Sequence, residues 1–187
     1  MSDHTFDVAV VGAGIVGLAV AYEAAQKGLK VAVFERNARA VGASIRNFGL
    51  VWPIGQPAGN LLDRALRSRE TWLRLAQESG VWLKQNGSLH LAYHEDELAV
   101  LNDFQRTSRD AGYRTRLLTL AEAPAYSPAI KTAGLKGALW SETECTVTSR
   151  HAIGQIAAYL EQRWGVAFHF GISITHVEAG CLSDFYD

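Results

Sequence analysis

The sequence predicts an α/β protein that opens on a parallel strand–helix–strand unit and later returns to it after a long, mainly antiparallel insertion. Three observations carry this. Val8 to Val11 is a short apolar run that leads straight into glycines at 12, 14 and 17. Residues 15 to 27 are rich in Ala and Leu and hold no proline, as a helix requires. Lys30 to Glu35 is a second apolar run, and Gly28 before it supplies a helix stop.

The elements follow in order. Val8–Val11 is expected as a strand buried on both faces of a parallel sheet, because its residues do not alternate. The stretch GASIRNFGLVWPIGQP, from Gly42 to Pro57, follows neither helical nor strand periodicity and is expected as a loop. Leu61 to Ser79 reads as a helix with Leu62, Ala65, Leu66, Leu73 and Ala76 on one face and Gly80 as its stop. Its arginines alternate with Asp63, Glu70 and Glu78, the pattern of a solvated face. VWLKQNGSLHLAY predicts a hairpin, with Asn86 and Gly87 at the two positive-φ positions of a type I′ turn.

Glu95 to Ala111 predicts an amphipathic helix ended by Gly112, and Tyr113–Leu118 and Gly137–Trp140 predict strands separated by Pro124 and Pro128. Ser149 is expected to cap a helix with Ile153, Ile156, Ala157, Leu160 and Trp164 in one stripe, closed by Gly165. VAFHF and SITHV then predict two short strands. This order assigns residues 1–55 and 146–187 to one domain and 56–145 to an insertion. The chain ends at Asp187 before that first unit closes, so the expectation is an incomplete protein.

Composition narrows the function. The 187 residues are 48% hydrophobic and 20% charged, an ordinary globular balance. A net charge of −1 without a basic run gives no footprint for nucleic acid or an anionic membrane. Oligomeric state leaves no mark. Cys145 and Cys181 stand 36 positions apart in no paired motif, which argues against a disulfide framework and for a reducing cytoplasm. MSDHTFD lacks the basic residues of a secretory leader, and the uncharged stretch after it is too short to span a bilayer.

The glycines carry the first functional signal. Gly12, Gly14 and Gly17 spell G-x-G-x-x-G after a strand and at the mouth of a helix. Gly12 permits the tight turn, Gly14 admits a pyrophosphate to the backbone, and Gly17 lets the helix pack closely. Ile15 and Val16 open that helix, whose free N–H groups and positive end attract phosphate. Glu35 follows Gly17 by 18 residues, where a carboxylate accepts both ribose hydroxyls and repels a 2′-phosphate; Arg36 stands beside it. This is a Rossmann-type site for an ADP moiety. On these residues alone, NAD and FAD remain equal candidates.

The loop that follows separates them. VAVVGAGIVGLAVAYEAAQKGLKVAVFER with GASIRNFGL resembles the start of the D-amino-acid oxidase superfamily, FAD enzymes that include glycine oxidase, sarcosine oxidase and dimethylglycine dehydrogenase. The resemblance implies a split Rossmann-type FAD domain with an inserted antiparallel α+β substrate domain. It also implies that Ala43, Ser44, Arg46, Asn47, Phe48, Gly49 and Leu50 pass under the flavin. GSLHLAYHEDE resembles the substrate-domain strand and helix of the family, and TVTSRHAIGQIAAYLEQRWGVAFHFGISITHVE its return to the FAD domain, where main-chain atoms of Ile174 hold adenine. Some relatives attach flavin through a His at the position of Arg46, so the resemblance implies non-covalent FAD here.

The implied activity is oxidation of a small amine, an amino acid or an aminophosphonate, by hydride transfer to flavin; the product imine hydrolyses. SIRNFG with VWPIGQP is most similar to a bacterial subgroup associated with aminophosphonate breakdown. Alternatives are a non-catalytic nucleotide-binding fragment and a Rossmann flavoenzyme that oxidises an alcohol. The tail AGCLSDFYD does not resemble the family's continuation, and the second half that holds a substrate carboxylate in the family lies outside this sequence. No catalytic residue stands out. His90 and His94 lack metal-site geometry on a strand arm, so no metal is expected. Trp52, just after the loop, reads either as a wall of a substrate cavity or as a core residue.

Overall fold

The computed structural model describes residues 5–178, and the chain divides into two compact units. The first takes the chain as far as Asn47 and again from Ser149; the second is Phe48–Thr148.

In the first unit, β1 (Val8–Val11), α1 (Ile15–Gln26) and β2 (Val31–Glu35) form the strand–helix–strand unit, and β1 lies parallel to β2 with Val10 opposite Val33. After α2 (Ala43–Arg46) the chain leaves, then re-enters through α6 (Ser149–Trp164) and β9 (Ala167–Phe170). β9 pairs parallel on the other side of β2, so β2 is central. Burial follows that order. Val31, Ala32 and Val33 are buried, whereas β1 buries only Val10 and leaves Val11 65% exposed. A β1 covered on both faces is therefore not what forms; among the described residues it is an edge strand. α1 packs on α6, Leu18, Ala21 and Tyr22 of the one and Ile156 and Leu160 of the other are buried, and the Trp164 ring stands edge-on to Tyr22.

Ser149 differs from its expected role. It is the first residue of α6, and its hydroxyl donates to the Asn47 carbonyl instead of capping its own helix. SITHV forms no strand. Beyond β9, Gly171 N–H donates to Asn37 O and Ile172 N–H to Glu35 O, and Ile172, Ile174 and Val177 are exposed.

The second unit holds β3 (Leu50–Val51), α3 (Asn60–Ser79), β4 (Leu83–Lys84), β5 (Ser88–Ala92), α4 (Glu95–Ser108), β6 (Thr115–Leu118), α5 (Ala123–Tyr126), β7 (Gly137–Ser141) and β8 (Cys145–Val147). Its strands form two antiparallel sheets, β3–β8–β4 and β5–β7–β6. The expected 81–93 hairpin is absent. β4 pairs with β8, β5 pairs with β7, and no non-glycine residue among those described has positive φ, so Asn86 cannot sit in a type I′ turn. The residues Asn-Gly instead carry the chain from one sheet to the other. Gly87 has φ +59°, and a Cβ there would lie 2.2 Å from the Trp140 ring. The Asn86 side chain accepts a hydrogen bond from the Thr146 hydroxyl.

That crossing is organised by Glu144, which is fully buried. Its carboxylate accepts from Ile54 N–H at 3.0 Å, the Ser88 hydroxyl at 3.1 Å and the Thr143 hydroxyl at 2.7 Å, and its carbonyl accepts from Gly87 N–H. Arg69 belongs to the same region. The solvated-face reading of α3 fails there: the Arg69 side chain is only 15% exposed and its Nε donates to the Thr143 carbonyl. Glu144→Ala would remove the acceptor that three donors share, at a cost of about 1–3 kcal/mol for each that stays buried and unpaired. Urea unfolding should show a midpoint well below wild type, with Glu144→Gln in between; equal midpoints would remove Glu144 as the organiser.

Candidate functional site

The site is built on the turn between β1 and α1. Gly12 takes φ +101°, a conformation that costs a side-chain-bearing residue dearly, and its N–H donates to the Phe34 carbonyl. A Cβ on Gly17 would lie 1.9 Å from the Gly12 carbonyl oxygen and 3.2 Å from Val10 Cγ1, so Gly17 is required by the turn as much as by the strand. Gly14 caps α1, and a Cβ there would stand 3.1 Å from Ser44 Oγ. Ser44 Oγ accepts from Ile15 N–H at 3.0 Å, which sets α2 against the helix mouth. The next N–H groups, of Val16 and Gly17, have no acceptor among the described residues and form an open anion cradle.

Glu35 closes the turn from β2. Oε2 accepts from Ala13 N–H at 3.1 Å, and Oε1 accepts from the Asn37 N–H and side-chain amide, both at 3.0 Å. Burial pushes its pKa up. The Asn37 and Ala13 N–H groups, the Asn37 amide and the Arg36 charge outweigh that and hold the carboxyl below its ordinary value. A carboxylate has about four acceptor positions, and these three bonds leave one, on Oε2, for a ribose hydroxyl. Arg36 is exposed, and Ile174 follows the segment tied to the Glu35 carbonyl.

The remaining loop residues divide between the units. Ala43, Ser44, Arg46 and Asn47 are in the first, whereas Phe48, Gly49 and Leu50 begin the second. Phe48 is 81% exposed. Gly49 has a structural reason of its own: φ is +78°, and a Cβ would lie 1.9 Å from the Val147 carbonyl oxygen. In the second unit Trp52 is half-exposed and so is not a core residue; it covers Gly55 and lies parallel to the His90 ring at 6.4 Å. His90 bonds Ser88 Oγ, and burial lowers its pKa against the opposing pull of Glu144. Among the described residues no cluster of His, Cys, Asp or Glu is arranged to hold a metal. Burial raises the Cys145 thiol pKa, against the nearby Arg69 charge, which leaves it a poor nucleophile. Cys181 lies outside the described residues.

Residues 7–183 match the family of FAD-dependent oxidoreductases that includes D-amino-acid oxidase. The chain belongs to this family. FAD is the cofactor of that family. Glycine oxidase of Geobacillus kaustophilus is 30% identical over 145 residues, covering 73% of this chain and 38% of that protein. Its crystal structure superposes with a TM-score of 0.76 at 26% identity, over 89% of this chain and 46% of that one. Aerobic glycerol-3-phosphate dehydrogenase of Staphylococcus saprophyticus is 29% identical over 154 residues, covering 73% of this chain and 26% of that protein. The chain thus spans less than half the length of these relatives.

Two substitutions test the site by FAD titration. Gly14→Val would drive its side chain into Ser44 and the phosphate cradle and should abolish binding; Glu35→Ala should weaken it by about 1–3 kcal/mol. Unchanged affinity in both would remove the site. Glu35 also predicts a pH dependence. Its folded pKa lies below the ordinary value of 4.5, so its stabilisation is complete above that value and is lost as pH falls through the lowered one. Wild type should therefore exceed Glu35→Gln in urea midpoint at neutral pH, and the two should converge in acid.

Proposed function

We propose that the chain is the FAD-binding half, with part of the substrate domain, of an enzyme that oxidises a small amine, an amino acid or aminophosphonate, to an imine that hydrolyses. The observation that supports the amine most directly is the likeness to glycine oxidase in both sequence and fold. In this reading the first unit holds the cofactor and Phe48–Thr148 belongs to the substrate side.

FAD, when bound, accepts the hydride from the carbon that bears the nitrogen. The chain's own residues bind and orient it. The open N–H groups of Val16 and Gly17 face its phosphates, Gly14 leaves room for them, and Ser44 holds the neighbouring helix end in place. Glu35, kept ionised, takes the adenosine ribose and disfavours a 2′-phosphate; main-chain atoms at Ile174 take adenine. Ala43, Arg46, Asn47, Phe48, Gly49 and Leu50 follow the flavin half of the cofactor. Arg46 stands where some relatives carry the attaching His, which supports a non-covalent flavin. Small-molecule chemistry in the cytoplasm agrees with a net charge of −1, and among the described residues no helix is long and apolar enough to cross a membrane.

A second reading, oxidation of an alcohol such as a glycerol phosphate, has support from the Staphylococcus saprophyticus relative. Anaerobic mixing of the FAD-loaded protein with glycine, sarcosine, 2-aminoethylphosphonate and glycerol 3-phosphate separates the two. Bleaching of the flavin band by an amine alone is expected, and bleaching by glycerol 3-phosphate alone would overturn the amine. Acid precipitation should release the flavin to the supernatant; colour retained in the pellet would mean a covalent link.

A further inference from the structure

Apart from the glycine turn, the first unit has a cavity of about 540 Å³ lined by Arg39, Ala40, Ile45, Arg46, Arg150 and His151. Three guanidinium groups and an imidazole come to it from three segments: the loop after β2, the end of α2 and the first turn of α6. Among the described residues no carboxylate lines it. Among the described residues none of Arg39, Arg46 and Arg150 forms an ion pair or side-chain hydrogen bond, although other arginines of the chain, such as Arg114 and Arg116, do.

The placement is electrostatically unfavourable as it stands. Like charges that share a concave surface repel more strongly than charges spread over a convex one, because the low-dielectric walls concentrate the field. Arg150 and His151 add a second penalty. They lie in the first turn of α6, where the positive end of the helix repels cations, and that turn has no acidic residue to offset them. An anion reverses both. Guanidinium forks pair with tetrahedral oxyanions through parallel N–H···O bonds, and several arginines around one cavity suit a doubly charged group better than a single carboxylate.

We propose that this cavity is a binding site for a phosphoryl dianion, either inorganic phosphate or the phosphate of a small monoester, separate from the pyrophosphate place at Gly14 and Ser44. The cavity has room for more than a bare phosphate, and Ala40 and Ile45 give it an apolar side against which an organic substituent can lie. This inference does not depend on which substrate the enzyme oxidises.

The test is calorimetric titration of the purified chain with inorganic phosphate and with phenyl phosphate at matched ionic strength, with and without saturating FAD. Binding to one site in both conditions is expected, weakened about tenfold or more in Arg39→Gln/Arg150→Gln, whose FAD affinity stays at the wild-type value. Tighter binding of phenyl phosphate would assign a monoester, and binding of inorganic phosphate alone would assign the free ion. Both arginines are exposed and without partners among the described residues, and the single variants serve if the double variant does not fold. Three results overturn the proposal. One is no phosphate binding by wild type. Another is binding indifferent to the substitutions. The third is binding that saturating FAD abolishes, which would return the anion to the cofactor's own phosphate place while leaving the FAD site intact.

Discussion

The first unit depends on one contact between elements distant in sequence, the hydrogen bond from Ala13 N–H to the Glu35 carboxylate. A glycine-rich turn is entropically costly to order, because its residues have the widest choice of backbone conformations to lose. Glu35 fixes the turn from the neighbouring strand, and its own burial is offset by the Asn37 donors. Its backbone acts as well. The Glu35 carbonyl accepts from Ile172 N–H, so one residue holds the turn with its side chain and the chain beyond β9 with its main chain. The group proposed to take ribose is therefore also part of the scaffold. On that proposal FAD affinity and stability are coupled through it, which is why they have to be measured separately in Glu35 variants.

Much of this unit was legible because its signals are local. The spacing of Gly12, Gly14 and Gly17, the apolar run before them and the acid after the second strand are all read along the chain, and each meets a physical need in the structure. Ser44 was legible only through family resemblance; nothing in its own neighbourhood reveals that its hydroxyl reaches Ile15 N–H across 29 positions. The edge position of β1 was hidden for a related reason. An apolar run says that a strand is buried, but the order β1–β2–β9 is decided by where α6 returns the chain.

The second unit was harder to read because its pairings are non-local. Asn86-Gly87 is a strong hairpin signal, and it was overridden because β8 offers β4 a partner and β7 offers β5 another. Both partners lie 45 residues or more downstream, beyond any window used to recognise a turn. Gly87 is still needed, though for close passage beneath Trp140. Arg69 and Glu144 are the same lesson in polar residues. Each sits in a charged stretch of sequence, and each is inside, because the turns around Thr143 and Ile54 leave donors and acceptors that water cannot reach. Charge patterning along α3 describes a solvated face correctly except at the one arginine that the sheet crossing requires.

The two cationic features of the first unit obey opposite electrostatic rules. At the glycine turn the attraction for phosphate comes from neutral N–H dipoles at the end of α1, and a full negative charge, Glu35, stands beside them. In the proposed site that arrangement selects a ligand with both a phosphate and a neutral diol, and it gives little to a bare anion. Around Arg39, Arg46 and Arg150 no described residue supplies a compensating carboxylate, and the helix end adds to the positive potential. Such a surface attracts charge before it recognises shape. Selectivity at the turn therefore depends on geometry that one methyl group destroys, whereas at the arginine cavity each cation contributes a share and the loss of one weakens an interaction that the others sustain.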